Sequence, residues 1–265
     1  MTATRRPIRW GRWLLALIVG LGLLYLITPV LIVVPMSFSD ARFLQFPPEV
    51  WSLRWYRTYV ESDAWMAATR VSLSVAVLTT LIATPVGVAA AYSLHNARWR
   101  LLRSLQLFLL TPLMVPIIIV AAGIFFVYAR IGLLNTIGGL VLAHVMLALP
   151  YVVIAALSGL RTFDMTQEMV AQSLGVNRFR AFMTVTLPQI RPSVISGGLF
   201  AFITSLDEVV VALFVSGGDN QTLTKRMFTA LRDEIDPTIA AISSLLIVAS
   251  FVLVLLTGSL RRSAP

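Results

Sequence analysis

The chain has 265 residues, of which 58% are hydrophobic and only 12% charged; it contains no cysteine and carries a formal net charge of +9. A soluble domain of this size carries about 25% charged and 45–50% apolar residues, so the halved charge and a mean hydropathy of +0.86 indicate a chain whose solvent is mostly lipid. Disordered chains, disulfide-stapled scaffolds and zinc–cysteine proteins are excluded, and the basic balance, which on a soluble protein would suggest nucleic acid, here reports first on orientation.

Crossing a bilayer takes roughly 20 apolar residues. In chain order, the uncharged intervals that meet this are Trp13–Ser39, Val71–Ala97, Ser104–Ala129, Ile131–Leu160, Pro192–Gly218 and Pro237–Leu260. The fifth is interrupted by Asp207 and Glu208, with 15 uncharged residues before the pair and ten after it. The predicted spans are 13–36, 66–94, 104–129, 137–158, 193–216 and 238–259. They describe an all-α membrane protein of six transmembrane helices, forming one domain over residues 1–265. Neither an internal repeat nor room for a second folded domain is evident.

Arg5, Arg6, Arg9 and Arg12 directly precede the first span, which places the N-terminus in the cytoplasm by the positive-inside rule. Threading six spans then puts Arg98, Arg100 and Arg103, next Arg161, Arg178, Arg180 and Arg191, and finally Arg261 and Arg262 on the same side. These segments hold 13 basic residues against two acids, Asp164 and Glu168, whereas the external segments balance eight bases with eight acids. The net charge resolves into +11 inside, zero outside and −2 within the membrane, and both termini are expected in the cytoplasm. A cleaved signal peptide is the rival reading of the N-terminus; the apolar run is long for a signal core and ends without a small-x-small site. Trp10, Trp13, Trp51, Trp55, Tyr59 and Trp65 read as interfacial anchors. Pro29, Pro85, Pro112, Pro116 and Pro150 fall inside spans, where each removes a backbone donor and favours a kink.

The cytoplasmic loop 161–191 is too apolar for a solvated connector. Asp164 is placed to cap a helix, with Gln167 three residues on. That helix is predicted to run to Leu174 and stop at Gly175, a residue suited to the left-handed cap. Asn177 then opens a second short helix carrying Phe179 and Phe182, expected to end before Pro188. The product is a helix-turn-helix elbow whose Met, Leu and Phe side chains await a docking partner.

Gly175, followed after nine residues by Val185-Thr186-Leu187-Pro188, resembles the "EAA" loop of permease subunits in bacterial binding-protein-dependent ABC importers. In that family the loop seats a coupling helix on an ATPase subunit, and the positions carried over are Ala171, Gly175, Leu187 and Pro188. The motif triplet falls on Met169, Val170 and Ala171, and the acid, Glu168, lies one position earlier. The segments Ser205-Leu-Asp207-Glu208-Val-Val-Val-Ala-Leu-Phe, Leu223-Thr-Lys-Arg-Met227 and Leu231-Arg-Asp-Glu234-Ile-Asp-Pro237 are similar to spermidine/putrescine-type permeases.

The resemblance implies a type I importer permease fold in the bacterial inner membrane, working by alternating access. Its implied partners are ATPase subunits carrying ATP and Mg, a second and different permease subunit, and a periplasmic substrate-binding protein. The chain itself lacks a glycine-rich phosphate loop with Lys-Ser or Lys-Thr, and no cofactor or nucleic acid is expected on it.

Asp207 and Glu208 are the residues most suited to substrate chemistry. An acid near the membrane centre costs on the order of 2.5–3.5 kcal/mol on insertion scales, so it faces a cavity or a partner. Thr204, Asp207 and Glu208 form one polar sector of a helix, with Tyr128 at compatible depth on span three. The functional reading is a route that attracts a small cation, ammonium meeting carboxylate and aromatic face. The structural reading pairs either acid with Arg130, Lys225 or Arg226. By resemblance the cation is a polyamine such as spermidine or putrescine; relatives with the same loop take amino acids, opines, thiamine or iron. A nucleotide-independent secondary transporter is the reading from a different class. His95 and His144 have no second ligand at metal spacing, and no hydrolase motif occurs, so neither a metal site nor a catalytic residue is predicted.

Overall fold

A computed structural model describes residues 9–96 and 100–262, all helix and connection apart from an isolated bridge between Ser39 and Trp51. Arg5, Arg6 and Arg98, used above for orientation, lie outside the described residues. The helices are α1 (Arg9–Met36), α2 (Arg54–Glu61), α3 (Asp63–His95), α4 (Arg100–Leu110), α5 (Ile117–Ile131), α6 (Ile137–Thr162), α7 (Thr166–Ser173), α8 (Arg178–Ala181), α9 (Leu187–Asp207), α10 (Val210–Val215), α11 (Leu223–Asp233) and α12 (Thr238–Arg262).

Two compact units divide the chain. One runs up to Glu61 and takes in Glu234–Ala249; the other comprises Ser62–Asp233 and the chain from Ser250. In the first, every side chain of α1 from Trp10 to Pro29 is exposed, an arrangement suited to an apolar solvent and not to water. The loop after it closes on itself: Ser37 Oγ and Tyr56 Oη share a 2.7 Å hydrogen bond, and the Phe38 and Tyr56 rings lie 5.2 Å apart. Trp55 is buried and donates through Nε1 to the Ala41 carbonyl at 3.2 Å. Of the six aromatic anchors expected from the sequence, Trp10, Trp13 and Trp51 are exposed, while Trp55, Tyr59 and Trp65 are buried. A ring at the right depth also serves as core when the adjoining loop folds over it.

In the second unit, α3, α6 and α9 pack against one another. Ser62 caps α3 by accepting from the Trp65 N–H, and Thr136 caps α6 by accepting from the Gly139 N–H at 3.0 Å, each satisfying a first-turn donor. The helices meet through small residues. A β-carbon on Gly87 of α3 would fall 2.6 Å from Val152 Cγ1 of α6, and one on Gly197 of α9 would fall 3.3 Å from Val152 Cα. Ala83, Ala91, Ala148, Ala156 and Ala201 complete this core, all fully buried. Lipid supplies no hydrophobic force between helices, so such close backbone approach is what holds them together. A buried hydrogen bond of 2.8 Å between His144 Nδ1 and Ser205 Oγ adds a polar link between α6 and α9.

Among the described residues, three helices are long and apolar enough to cross a membrane by themselves: Trp10–Met36, Asp63–His95 and Ile137–Thr162. The predicted third span is a pair, Gln106–Leu113 and Ile117–Ile131, bent by 104°; Pro112 and Pro116 flank the break. Pro29, Pro85 and Pro150 instead lie within continuous helices. The predicted fifth span is divided between α9 and α10 at the acid pair, and the predicted sixth lies within the 25-residue α12, Thr238–Arg262. The structure thus supports a multi-pass helical membrane protein with, among the described residues, three self-sufficient spans, or four if the bent pair is one.

Because Gly87 has no room for a β-carbon, Gly87→Val is expected to destabilise the solubilised protein by about 1–3 kcal/mol. The same change at Gly22, where a β-carbon meets nothing within 4 Å, should leave the melting temperature unchanged. Thermal unfolding in detergent compares the two.

Candidate functional site

The polar sector predicted around residues 204–208 coincides with a break in the helix. α9 ends at Asp207, Glu208 is extended (φ −69°, ψ 114°), and α10 begins at Val210. This break separates the fates of the two acids. Glu208 is buried, and its carboxylate accepts the Val211 N–H at 2.7 Å, capping the first turn of α10. Its backbone carbonyl accepts the Thr224 hydroxyl at 2.9 Å. At the opposite end of α10, Lys225 Nζ donates to the carbonyls of Leu213, at 3.2 Å, and Ser216. A carboxylate at the N-terminus and an ammonium at the C-terminus complement the helix dipole, and they supply partners to backbone groups that six residues cannot satisfy among themselves. Leu223 N–H, bonded to Ser72 Oγ at 2.8 Å, ties the start of α11 to α3 and so fixes Lys225 in place.

Asp207 is exposed at the end of α9, and Thr204, one turn earlier, is half-buried. Arg130, Lys225 and Arg226 form no ion pair with either acid; among the described residues the salt bridge within 4 Å is Arg232–Asp233, at 2.7 Å. Arg226 instead lies over the Trp65 ring, 4.7 Å from its centroid. Tyr128 packs against the apolar cluster that includes Val211 and Val215 of α10 and lines a cavity of about 370 Å³ between α5 and α6. No hydrogen bond among the described residues joins it to the acids, so it shapes the wall on which α10 rests.

The elbow follows its local sequence grammar. Asp164 accepts the Thr166 N–H at 3.0 Å, and the hydroxyl and N–H of Thr166 hold its carboxyl below the ordinary range. Gln167 returns no side-chain bond to Asp164 and pairs with Gln189 instead. α7 ends in a double closure: Gly175 N–H bonds the Gln172 carbonyl at 3.0 Å, and Val176 N–H bonds that of Ala171 at 3.2 Å. This pairing needs a left-handed residue at position 175, and Gly175 has φ +90°. Asn177 caps α8 through the Arg180 N–H at 2.8 Å. Met169, Val170, Leu174 and Phe179 are exposed, Leu187 half-buried and Pro188 exposed.

The second short helix does not end before Pro188. It passes through a π turn, Phe182–Thr186, directly into α9, with Leu187 N–H bonding the Phe182 carbonyl five residues back. Widening the turn moves the preceding carbonyls away from the proline ring, which clashes with an ordinary α-helical neighbour.

Glu168 does not face outward. It is 1% exposed, and its carboxylate accepts the hydroxyls of Tyr92 and Thr186 and the Gln172 amide, the last at 3.1 Å. The sequence does not single out Tyr92; it offers Arg178 as a basic residue that sets orientation, Thr186 as a letter of the Val-Thr-Leu-Pro motif, and Lys225 as a partner of the acids, whereas its ammonium bonds the α10 carbonyls.

The family described as "Binding-protein-dependent transport system inner membrane component" matches residues 83–264. The spermidine/putrescine transport system permease protein PotC of Haemophilus influenzae is 32% identical over 239 residues, covering 90% of this chain and 92% of that protein. The putrescine transport system permease protein PotI of Escherichia coli is 32% identical over 250 residues, covering 91% and 88%. A solved bacterial ABC transporter involved in the import of the acidic polysaccharide alginate shares the fold, with a TM-score of 0.76 over 98% of this chain and 99% of that one at 14% identity.

Replacing the Glu208 carboxylate removes the cap on α10. Glu208→Ala is expected to cost about 1 kcal/mol and to speed amide exchange at Val211, read by hydrogen–deuterium exchange, while leaving α3 and α6 protected.

Proposed function

The chain belongs to the family of binding-protein-dependent transport system inner membrane components, and on that footing we propose that it is the six-span permease subunit of an importer for a small organic cation of the polyamine class. As a member of that family it is a transport component and not an enzyme. Both termini face the cytoplasm, six crossings are completed by the bent pair, the α9–α10 pair and α12, and one domain spans the chain. A separate ATPase binds ATP and Mg, a periplasmic protein delivers the substrate, and a second permease completes the pathway.

The observation that carries the substrate reading is Asp207, a carboxylate left exposed and, among the described residues, without an ion-pair partner, while its neighbour Glu208 is consumed in capping. A fold shared with an importer of an acidic polysaccharide does not set the sign of the substrate; an unneutralised acid favours a cation. The polyamine names of the relatives agree with that sign. Thr204 lines the same route, Tyr128 and α10 form its wall, and Met169, Ala171, Gly175, Leu187 and Pro188 build the surface that meets the ATPase. Movement of that surface shifts the population between inward-open and outward-open states.

A charge-assisted hydrogen bond contributes about 1.5–3 kcal/mol, so Asp207→Asn should reduce radiolabelled putrescine uptake into proteoliposomes roughly tenfold or more, with the ATPase still co-purifying. Glu208→Gln, which keeps an acceptor for Val211, should retain most uptake. A normally assembled Asp207→Asn importer with unchanged uptake would sink the substrate reading.

A further inference from the structure

Resting on the reading that the elbow receives an ATPase, we propose that Glu168 is the joint carrying motion from α7 into the membrane helices, and that it makes no contact with the ATPase itself. Its burial leaves no path for an outside side chain, and both carboxylate oxygens are occupied from within. The donors come from separate elements. Tyr92 belongs to the C-terminal end of α3, Thr186 to the π turn that leads into α9, and Gln172 to α7 itself.

α7 has eight residues, too few to stand as a helix without tertiary support. Its outer face of Met169 and Val170 is exposed, so a force applied there reaches the rest of the chain through the inner face, where Glu168 sits. A buried carboxylate persists only if it is fully hydrogen-bonded and electrically compensated. Tyr92 does both. It donates to Glu168, accepts from Arg178 Nε at 3.2 Å, and has the Arg178 guanidinium over its ring at 5.2 Å from the centroid. Carboxylate, phenol and guanidinium therefore form one chain of alternating charge and dipole. The Phe182 ring of the π turn packs on Tyr92 at 4.6 Å between centroids. Displacing α7 must consequently displace the base of α9 and the end of α3 together. α9 is about 30 Å long and ends at Asp207, so the joint connects the docking face to the substrate acid through one rigid element.

The native chain has no cysteine, so Ser93→Cys on α3 and Ser173→Cys on α7, both exposed, take spin labels cleanly. In the assembled importer in nanodiscs, pulsed electron paramagnetic resonance should give one narrow α3–α7 distance, with or without a trapped ATP analogue. Adding Tyr92→Phe or Thr186→Val, each removing one hydroxyl donor, should broaden that distance and lower the putrescine transported per ATP hydrolysed by about fivefold or more. An α3–α7 distance that neither substitution alters overturns the joint. Loss of assembly in both variants overturns it as well, because the network would then be a folding element. The docking reading fails separately, if Met169→Asp combined with Val170→Asp still retains the ATPase; the distance measurement does not depend on that outcome or on the substrate.

Discussion

The close approach of α3, α6 and α9 around Val152 is the constraint on which the second unit depends. Val152 is fully buried, with Gly87 on one side and Gly197 on the other. In water, large apolar side chains would be driven together by the solvent. In lipid that drive is absent, and helices associate by fitting backbone to backbone. Glycine and alanine at the crossing, rather than a hydrophobic stripe, therefore set the axis of α9. A second contact of the same kind lies nearer the elbow, where a β-carbon on Gly159 would fall 2.6 Å from Ser193 Oγ.

With its axis set, α9 presents two different ends. At one, the π turn absorbs Pro188 and brings Thr186 to Glu168; at the other, the helix stops between two acids. The short α10 that follows lacks the length to satisfy its own termini, and Glu208 and Lys225 complete it from outside. Glu208 thereby becomes part of the scaffold, and Asp207 is left facing outward. Adjacent carboxylates acquire unlike roles because a helix break changes the direction of the chain between them.

Much of this was legible locally. The Asn177 cap and the Gly175 closure each depend on a few neighbouring residues, and the structure realises them where the sequence places them. Ala171 acquires its meaning from the same closure, as the carbonyl that receives Val176. Pro188 misleads for a physical reason: proline forbids an ordinary helical turn, but a widened one removes the clash. Glu168 was equally hidden. Its partners Tyr92 and Thr186 lie 76 and 18 residues away, and neither periodicity nor motif spacing encodes a contact between separate helices.

The amino-acid sequence by itself determined the solvent and the family, because composition, apolar run lengths and the glycine-to-Leu-Pro spacing are local or additive properties. It also located the acid pair as the place where charge enters an apolar chain. Only the tertiary structure decided which acid is free, which acid is an internal hub and where a span breaks. Those outcomes depend on which distant donors reach each carboxylate, and burial makes an unsatisfied charge too costly for the arrangement to be left open.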